Sequence, residues 1–188
     1  MNSNELLKII KERRNTKSFT DKDVQKSDIE LILESGVWAP NHRNTEPWRF
    51  VVIDKYSPVK KEISQAMIDL QEDNSNSSLS DEQKKNIMLS VNKSPCYIFV
   101  FTKIGENDEV TEENYGAVCC AIQNMLLTAT TLGLGVGWST GKISKIKNLN
   151  KLLDVDQSLK IVGVLSVGYA ESIIEKSREE FKNLTKWL

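Results

Sequence analysis

The densest group of chemically useful side chains in this 188-residue chain is Arg13-Arg14-Asn15-Thr16-Lys17-Ser18. Three cations stand among three small polar residues at the end of an apolar-periodic segment. Forked guanidinium hydrogen bonds with hydroxyl and amide donors can grip a phosphate. The same cations also complement the negative pole at a helix C-terminus, and both readings stand at this point. A second group lies in Trp38-Ala39-Pro40-Asn41-His42-Arg43-Asn44-Thr45-Glu46-Pro47-Trp48. Its prolines and asparagines make it a loop. A donor-rich loop between a helix and a strand is a usual home for a binding site, and equally for ordinary turn chemistry. A third group interleaves Gly133, Gly135, Gly137 and Gly141 with Trp138, Ser139 and Thr140. Glycine allows close approach of the backbone to another body, which suits a loop wrapped around a planar ligand. A helix C-cap at Gly133 followed by irregular chain is the simpler account, although one glycine would suffice for it.

Composition narrows the classes. The net charge of -1 and pI of about 6.0 provide no basic field for nucleic acid. A single histidine, His42, cannot build a histidine metal site. Cys96, Cys119 and Cys120 are odd in number and lack metal-ligand spacing, so reduced thiols in a cytoplasmic protein are expected. Leu6–Ile10 is too short and too closely flanked by charge for a signal peptide.

The elements that must position these groups are legible from periodicity. Ser3 is expected to cap a helix over 4–13, with Leu6, Leu7, Ile9 and Ile10 facing inward. Ser27-Asp28-Ile29-Glu30 reads as a capping box for a helix that stops near Gly36. A strand is expected over 48–53, and a helix after Ser57-Pro58. The polar run at 74–80 reads as a mobile loop, followed by a short helix over 81–92. The apolar runs at 96–102 and 161–169 read as buried strands, and 146–153 is weakly helical. From Asn114 to Gly141 there is no Asp, Glu, Lys, Arg or His, in a chain that is 27% charged. Its first part, 115–132, reads as a helix buried nearly all round. Thr and Asn residues along it make a membrane span a poor fit. Three clear strands among many helices imply an α+β, three-layer α/β/α domain spanning 1–188. So modest a sheet leaves the central helix needing more cover, and a dimer with a shared core is expected. Ala121 and Met125 are expected in its interface.

Three separated pieces resemble one family, the FMN-dependent nitroreductases, in a short form. ERRNTKSF looks like its N-terminal Arg-x-Ser-x-Lys motif, and WAPNHRNTEPWRFVVI like its Ala-Pro-Ser-x-x-Asn-x-Gln-Pro-Trp-x-Phe segment. AIQNMLLTATTLGLGVGWSTG looks like its buried helix and glycine loop, while VGVLSVGYA and the KSR tail fit the closing strand and arm. The resemblance implies a small, mostly antiparallel sheet, a buried central helix and an entwined homodimer with FMN at the subunit interface. Arg13 and Asn15, with Arg14 adjacent, would bind the FMN phosphate and ribityl chain. Lys17 would sit near the pyrimidine edge, where a positive charge favours flavin reduction. Pro40, His42 and Asn44 would come from the other subunit. Trp138, Ser139, Thr140 and Gly141 would hold the ring and ribityl chain, and Lys176 and Arg178 would close on the phosphate. The implied activity is an NAD(P)H oxidoreductase, passing a hydride from NADH or NADPH to the flavin and on to a nitroaromatic, quinone or similar acceptor. Its kinetics would be ping-pong, with no catalytic side chain named. A non-turnover FMN-binding protein acting in storage or sensing, a flavin-fragmenting enzyme and a dehalogenating one are the alternatives. Asn15 replaces a common serine, and Glu46 a usual glutamine. The 55–92 region does not match the larger members.

Overall fold

The computed structural model describes residues 2–172 and 175–188. Its sheet comprises β1 (Trp48–Ile53), β2 (Cys96–Lys103), β3 (Gly135–Ser139) and β4 (Leu159–Gly168), in the order β1-β2-β4-β3. All neighbouring strands are antiparallel. The helices are α1 (Ser3–Glu12), α2 (Lys26–Val37), α3 (Val59–Ser75), α4 (Asp81–Lys93), α5 (Asp108–Thr131) and α6 (Leu149–Leu152). One sheet face packs on α2 and α5 through Ile32, Val118, Ile122 and Met125. The other packs on α3, α4 and α6 through Ile63, Val91 and Leu149. The expected three-layer α/β/α arrangement is present.

The inner strands follow from their composition. In β2, Ile98 and Val100 enter the first cluster while Tyr97, Phe99 and Phe101 enter the second. Covered on both faces, the strand is apolar at successive positions instead of alternating. The fourth strand is a correction. Gly135–Ser139, expected within a loop, pairs along β4 from Gly135 opposite Gly168 to Ser139 opposite Val164. Gly133 (φ 73°) caps α5, with the Leu134 N–H donating to the Ala129 carbonyl, so the simpler reading of that glycine holds.

Helix α5 begins seven residues before the expected start of 115. The Asn107 side chain accepts the Val110 N–H, and Asp108 and Glu109 lie at the positive pole, so these acidic residues form the helix N-terminus. It is buried on one face only. Ala121 and Met125, expected in an interface, point into the protomer's own core at 0% exposure, whereas Tyr115, Gly116 and Cys120 are open. A further correction concerns α1. Asn2, not Ser3, caps it through a capping box with Glu5. Leu6, Leu7 and Ile10 are 41, 47 and 42% exposed, so its apolar stripe is only partly covered by the described residues of the protomer.

Smaller differences share one cause, since helix starts depend on tertiary placement more than on a short motif. Ser27 lies inside α2, which starts after Gln25 with no side-chain cap, and Gly36 remains within that helix. Pro58 occupies the cap position of α3, one residue later than expected. Helix α3 absorbs Asn74 and Ser75 and ends at Asn76 (φ 50°). The connection that follows is held by Glu72, which accepts the Leu79 N–H, and by the Ser80–Gln83 capping box. Buried Lys60 donates to the Ser94 carbonyl (2.6 Å) at the end of α4, where a cation suits the helix dipole.

Burial pushes the Cys96 thiol up to about 12 and the Tyr97 phenol up to about 12. The unfolded chain loses these protons earlier, from about pH 9 for the thiol. The stability they contribute is complete below that value and is lost as pH rises toward 12. Urea midpoints should therefore fall steeply across this alkaline window. Cys96→Ala should flatten that fall, and an unchanged slope would remove Cys96 from the linkage.

Candidate functional site

The chain leaving α1 crosses to β3 and is stitched there. Asn15 forms a parallel bridge with Val136, and the Thr16 N–H donates to the Val136 carbonyl (3.0 Å). Asn15 Oδ1 accepts the Trp138 N–H (2.8 Å). Gly137 makes this approach possible: a Cβ there would overlap the Thr16 carbonyl oxygen. At the far end, Phe19 is buried beside Ala170, and the Thr20 N–H donates to the Tyr169 carbonyl (2.8 Å). Two of the predicted groups, 13–17 and 138–141, thus form one continuous structure. Gly135 and Gly137 serve close contact with Thr16, where the sequence left a ligand wrap and an irregular loop both open.

Stitching the segment down places Arg13 at the surface beside the C-terminal arm. Arg13, Lys176 and Arg178 line one cavity of about 510 Å³, together with Lys11, Arg14 and Gln123. Among the described residues, none of Arg13, Lys176 and Arg178 pairs with a carboxylate. Burial, followed by the Arg178 and Arg14 charges, pushes the Arg13 guanidinium below its ordinary value. Like charges gathered this way repel one another, and an anion between them would relieve the repulsion. Gln123 was not singled out from the sequence; its signal is a polar side chain on a stretch without charges. Lys17 is exposed and lines a small hollow with Asn15, Ser18 and Ser172.

The 138–141 segment is already partly engaged. The Trp138 indole turns inward over Gly163, whose position no Cβ could share, and Nε1 is buried with no partner among the described residues. A register shift of β4 against β2 lies beside that glycine. Ser139 Oγ accepts the Gly141 N–H (3.1 Å), and the Gly141 carbonyl accepts the Ser144 N–H (3.1 Å). Thr140 and Gly141 are exposed.

Pro40, His42 and Asn44 stand apart from this assembly within the protomer. No hydrogen bond or ion pair among the described residues joins 40–44 to 13–17 or 138–141. His42 instead lies 4.0 Å from Glu113 and lines a separate cavity of about 380 Å³ with Arg43, Thr45 and Lys103. The Glu46 N–H donates to Asn41 Oδ1 (2.9 Å), while Arg49 donates to the Glu46 carbonyl (3.2 Å), so Glu46 is tied to the described residues through its backbone. No cluster of three or more His, Cys, Asp or Glu residues suited to a metal ion occurs among the described residues.

Known proteins share this arrangement over nearly the whole chain. A Bacillus subtilis (strain 168) protein named "Putative NAD(P)H nitroreductase YfhC" is 26% identical, covering 89% of this chain and 85% of its own length. The crystal structure of a nitroreductase-like family protein from Bacillus cereus superposes with a TM-score of 0.84 at 25% identity, covering 100% of this chain and 98% of that one. A Desulfovibrio desulfuricans protein described as a "putative nitroreductase", crystallised in complex with FMN, gives a TM-score of 0.76 at 27% identity, covering 98% of this chain and 96% of that one. The sequence profile of the nitroreductase family matches residues 10–169, across the stitched segment, the sheet and α5, and the chain belongs to that family.

Proposed function

We propose that this chain is an FMN-dependent NAD(P)H oxidoreductase, a nitroreductase acting on nitroaromatic, quinone or similar acceptors. The observation that carries the reading is the cavity lined by Arg13, Lys176 and Arg178, cations with no carboxylate partner among the described residues. They fit a single phosphate monoester, as FMN carries. The FMN complex of the Desulfovibrio relative supports the same cofactor. Bound there, FMN supplies two-electron hydride chemistry between nicotinamide and acceptor. The protein's share is to bind, orient and charge-match. Arg13, Lys176 and Arg178 hold the phosphate, with Arg14 adjacent. Asn15 holds the segment to β3 and leaves its amide nitrogen for the ribityl chain. Lys17 provides positive charge near the pyrimidine edge, and Ser139, Thr140 and Gly141 face the ring and ribityl chain. Trp138 holds that segment in place, its backbone N–H donating to Asn15 Oδ1.

In this reading all 188 residues act as one domain and two copies entwine in the cytoplasm. Three open apolar surfaces support the dimer: the α1 stripe, the Tyr115–Cys120 face of α5, and the C-terminal arm, where Phe181, Leu184 and Trp187 are 67, 71 and 87% exposed. Open apolar surface of this kind is what a second copy would cover. Pro40, His42 and Asn44, detached from their own protomer's cation cavity, then line the flavin of the partner subunit.

The test is an anaerobic titration of the purified protein with NADH and NADPH, followed by heat release of its chromophore and light scattering. The expected protein is yellow, releases one FMN per chain, turns over with a quinone or nitroaromatic, and has the mass of two chains. A colourless protein that takes up no FMN would overturn the cofactor reading. Flavin that binds but never oxidises nicotinamide in steady state would overturn the enzyme reading. A monomer with one FMN per chain would overturn the shared site.

A further inference from the structure

Between α2 and β1, three non-glycine residues within four positions occupy the left-handed region: Arg43 (φ 52°), Asn44 (φ 52°) and Glu46 (φ 42°). Side chains are sterically disfavoured there, and such a run persists only where its surroundings impose it. The imposing group is a closed ring of hydrogen bonds. Thr45 Oγ1 donates to Asn114 Oδ1 (2.9 Å), Asn114 Nδ2 donates to the Lys103 carbonyl (3.3 Å), and Lys103 Nζ donates to the Thr45 carbonyl (3.4 Å). Asn114 is 5% exposed, a polar residue on the face of α5 that otherwise presents Ala117, Val118 and Ala121. Packing alone would be met there by an apolar side chain. The residue before it, Glu113, faces His42 at 4.0 Å. One turn of the central helix therefore holds both ends of the loop.

We propose that Asn114 is a positioning residue. Through Thr45 and Lys103 it locks the 42–46 loop in its left-handed turn and so presents His42 and Asn44 to the flavin held by the partner subunit. This rests on the shared-site reading above. A loop free to relax would spend most of its time in ordinary backbone conformations, and the flavin would have to select the rarer bound form.

The ring can be opened from either side in the full-length protein, by Asn114→Ala or by Thr45→Val. Thr111→Val is the control. Its hydroxyl accepts the Gly105 N–H (2.9 Å) and donates to the Asn107 carbonyl (2.9 Å) at the same end of α5, without touching the loop. Amide hydrogen exchange over 42–46 is read in the flavin-free protein, FMN affinity by titration, and melting temperature for all variants. Asn114→Ala and Thr45→Val should each speed exchange over 42–46 about tenfold and weaken FMN binding about tenfold, as expected for losing the Thr45–Asn114 bond that both remove. The double variant should be no worse than either single one. Thr45→Ser, which keeps the hydroxyl that donates to Asn114, should retain most of both. Thr111→Val should lower the melting temperature and change neither. If wild type binds FMN as a dimer while Asn114→Ala and Thr45→Val match it, or match Thr111→Val, the positioning role is overturned and the shared site stands. If wild type takes up no FMN, both fall, although loop exchange still reports whether the ring holds the turn.

Discussion

Replacing Gly137 by alanine should strip the protein of its flavin and lower its melting temperature by on the order of 10 °C. The added methyl has no room, because it would overlap the Thr16 carbonyl oxygen, a backbone atom that no rotamer change can move. Either β3 or the 13–17 segment must retreat. Overpacking of this kind costs about 1–3 kcal/mol. Retreat also breaks the Thr16 N–H bond to Val136 and the Trp138 N–H bond to Asn15, worth about 1 kcal/mol each. Arg13 is two residues from Asn15, so it leaves the cation cavity when the stitch opens, and FMN affinity falls at least tenfold. Thermal unfolding of the flavin-free variant and an FMN titration check the two halves. A Gly137→Ala protein with wild-type melting and affinity would show that the segment does not depend on that clearance.

Arg13→Ala should separate binding from stability. A charge-assisted hydrogen bond contributes about 1.5–3 kcal/mol, so the FMN dissociation constant should rise roughly ten- to hundredfold. Turnover per bound flavin should change little, because Arg13 belongs to the phosphate end of the site. The flavin-free variant should melt no lower than wild type. Burial and the Arg178 and Arg14 charges all disfavour the Arg13 guanidinium, and removing it relieves that repulsion. Opposite movements of affinity and stability mark a residue kept for its ligand. Arg13→Lys should fall between, having the charge without the fork. Equal FMN affinity in mutant and wild type would take Arg13 out of the site.

The segments with a strong local pattern were legible before any coordinates. The uniform apolar runs of β2 and β4 announce strands covered on both faces, and Trp48–Ile53 announces β1 with its observed bounds. The apolar stripe of α5 marks the face that fills the core, because helical spacing alone decides which side chains share a side. The polar groups at 13–17, 38–48 and 138–141 were also visible, since Arg, Asn, Gly and Pro carry their chemistry in their type.

What the chain packs against required the fold. Gly135–Ser139 resembles a loop because glycine carries no strand signal; its ladder partner, β4, lies more than twenty residues away. The outward stripe of α1 has the same periodicity as an inward one, since hydrophobic spacing shows that a face exists and not what covers it. Asn15 reads as a ligand donor until Trp138, 123 residues later, is seen to take its oxygen. Arg13 reads equally as a dipole partner until Lys176 and Arg178 arrive from the other end of the chain. In each case sequence determines the side chain's capacity, and tertiary structure decides which distant atom meets it, because steric clearance and charge proximity act through space.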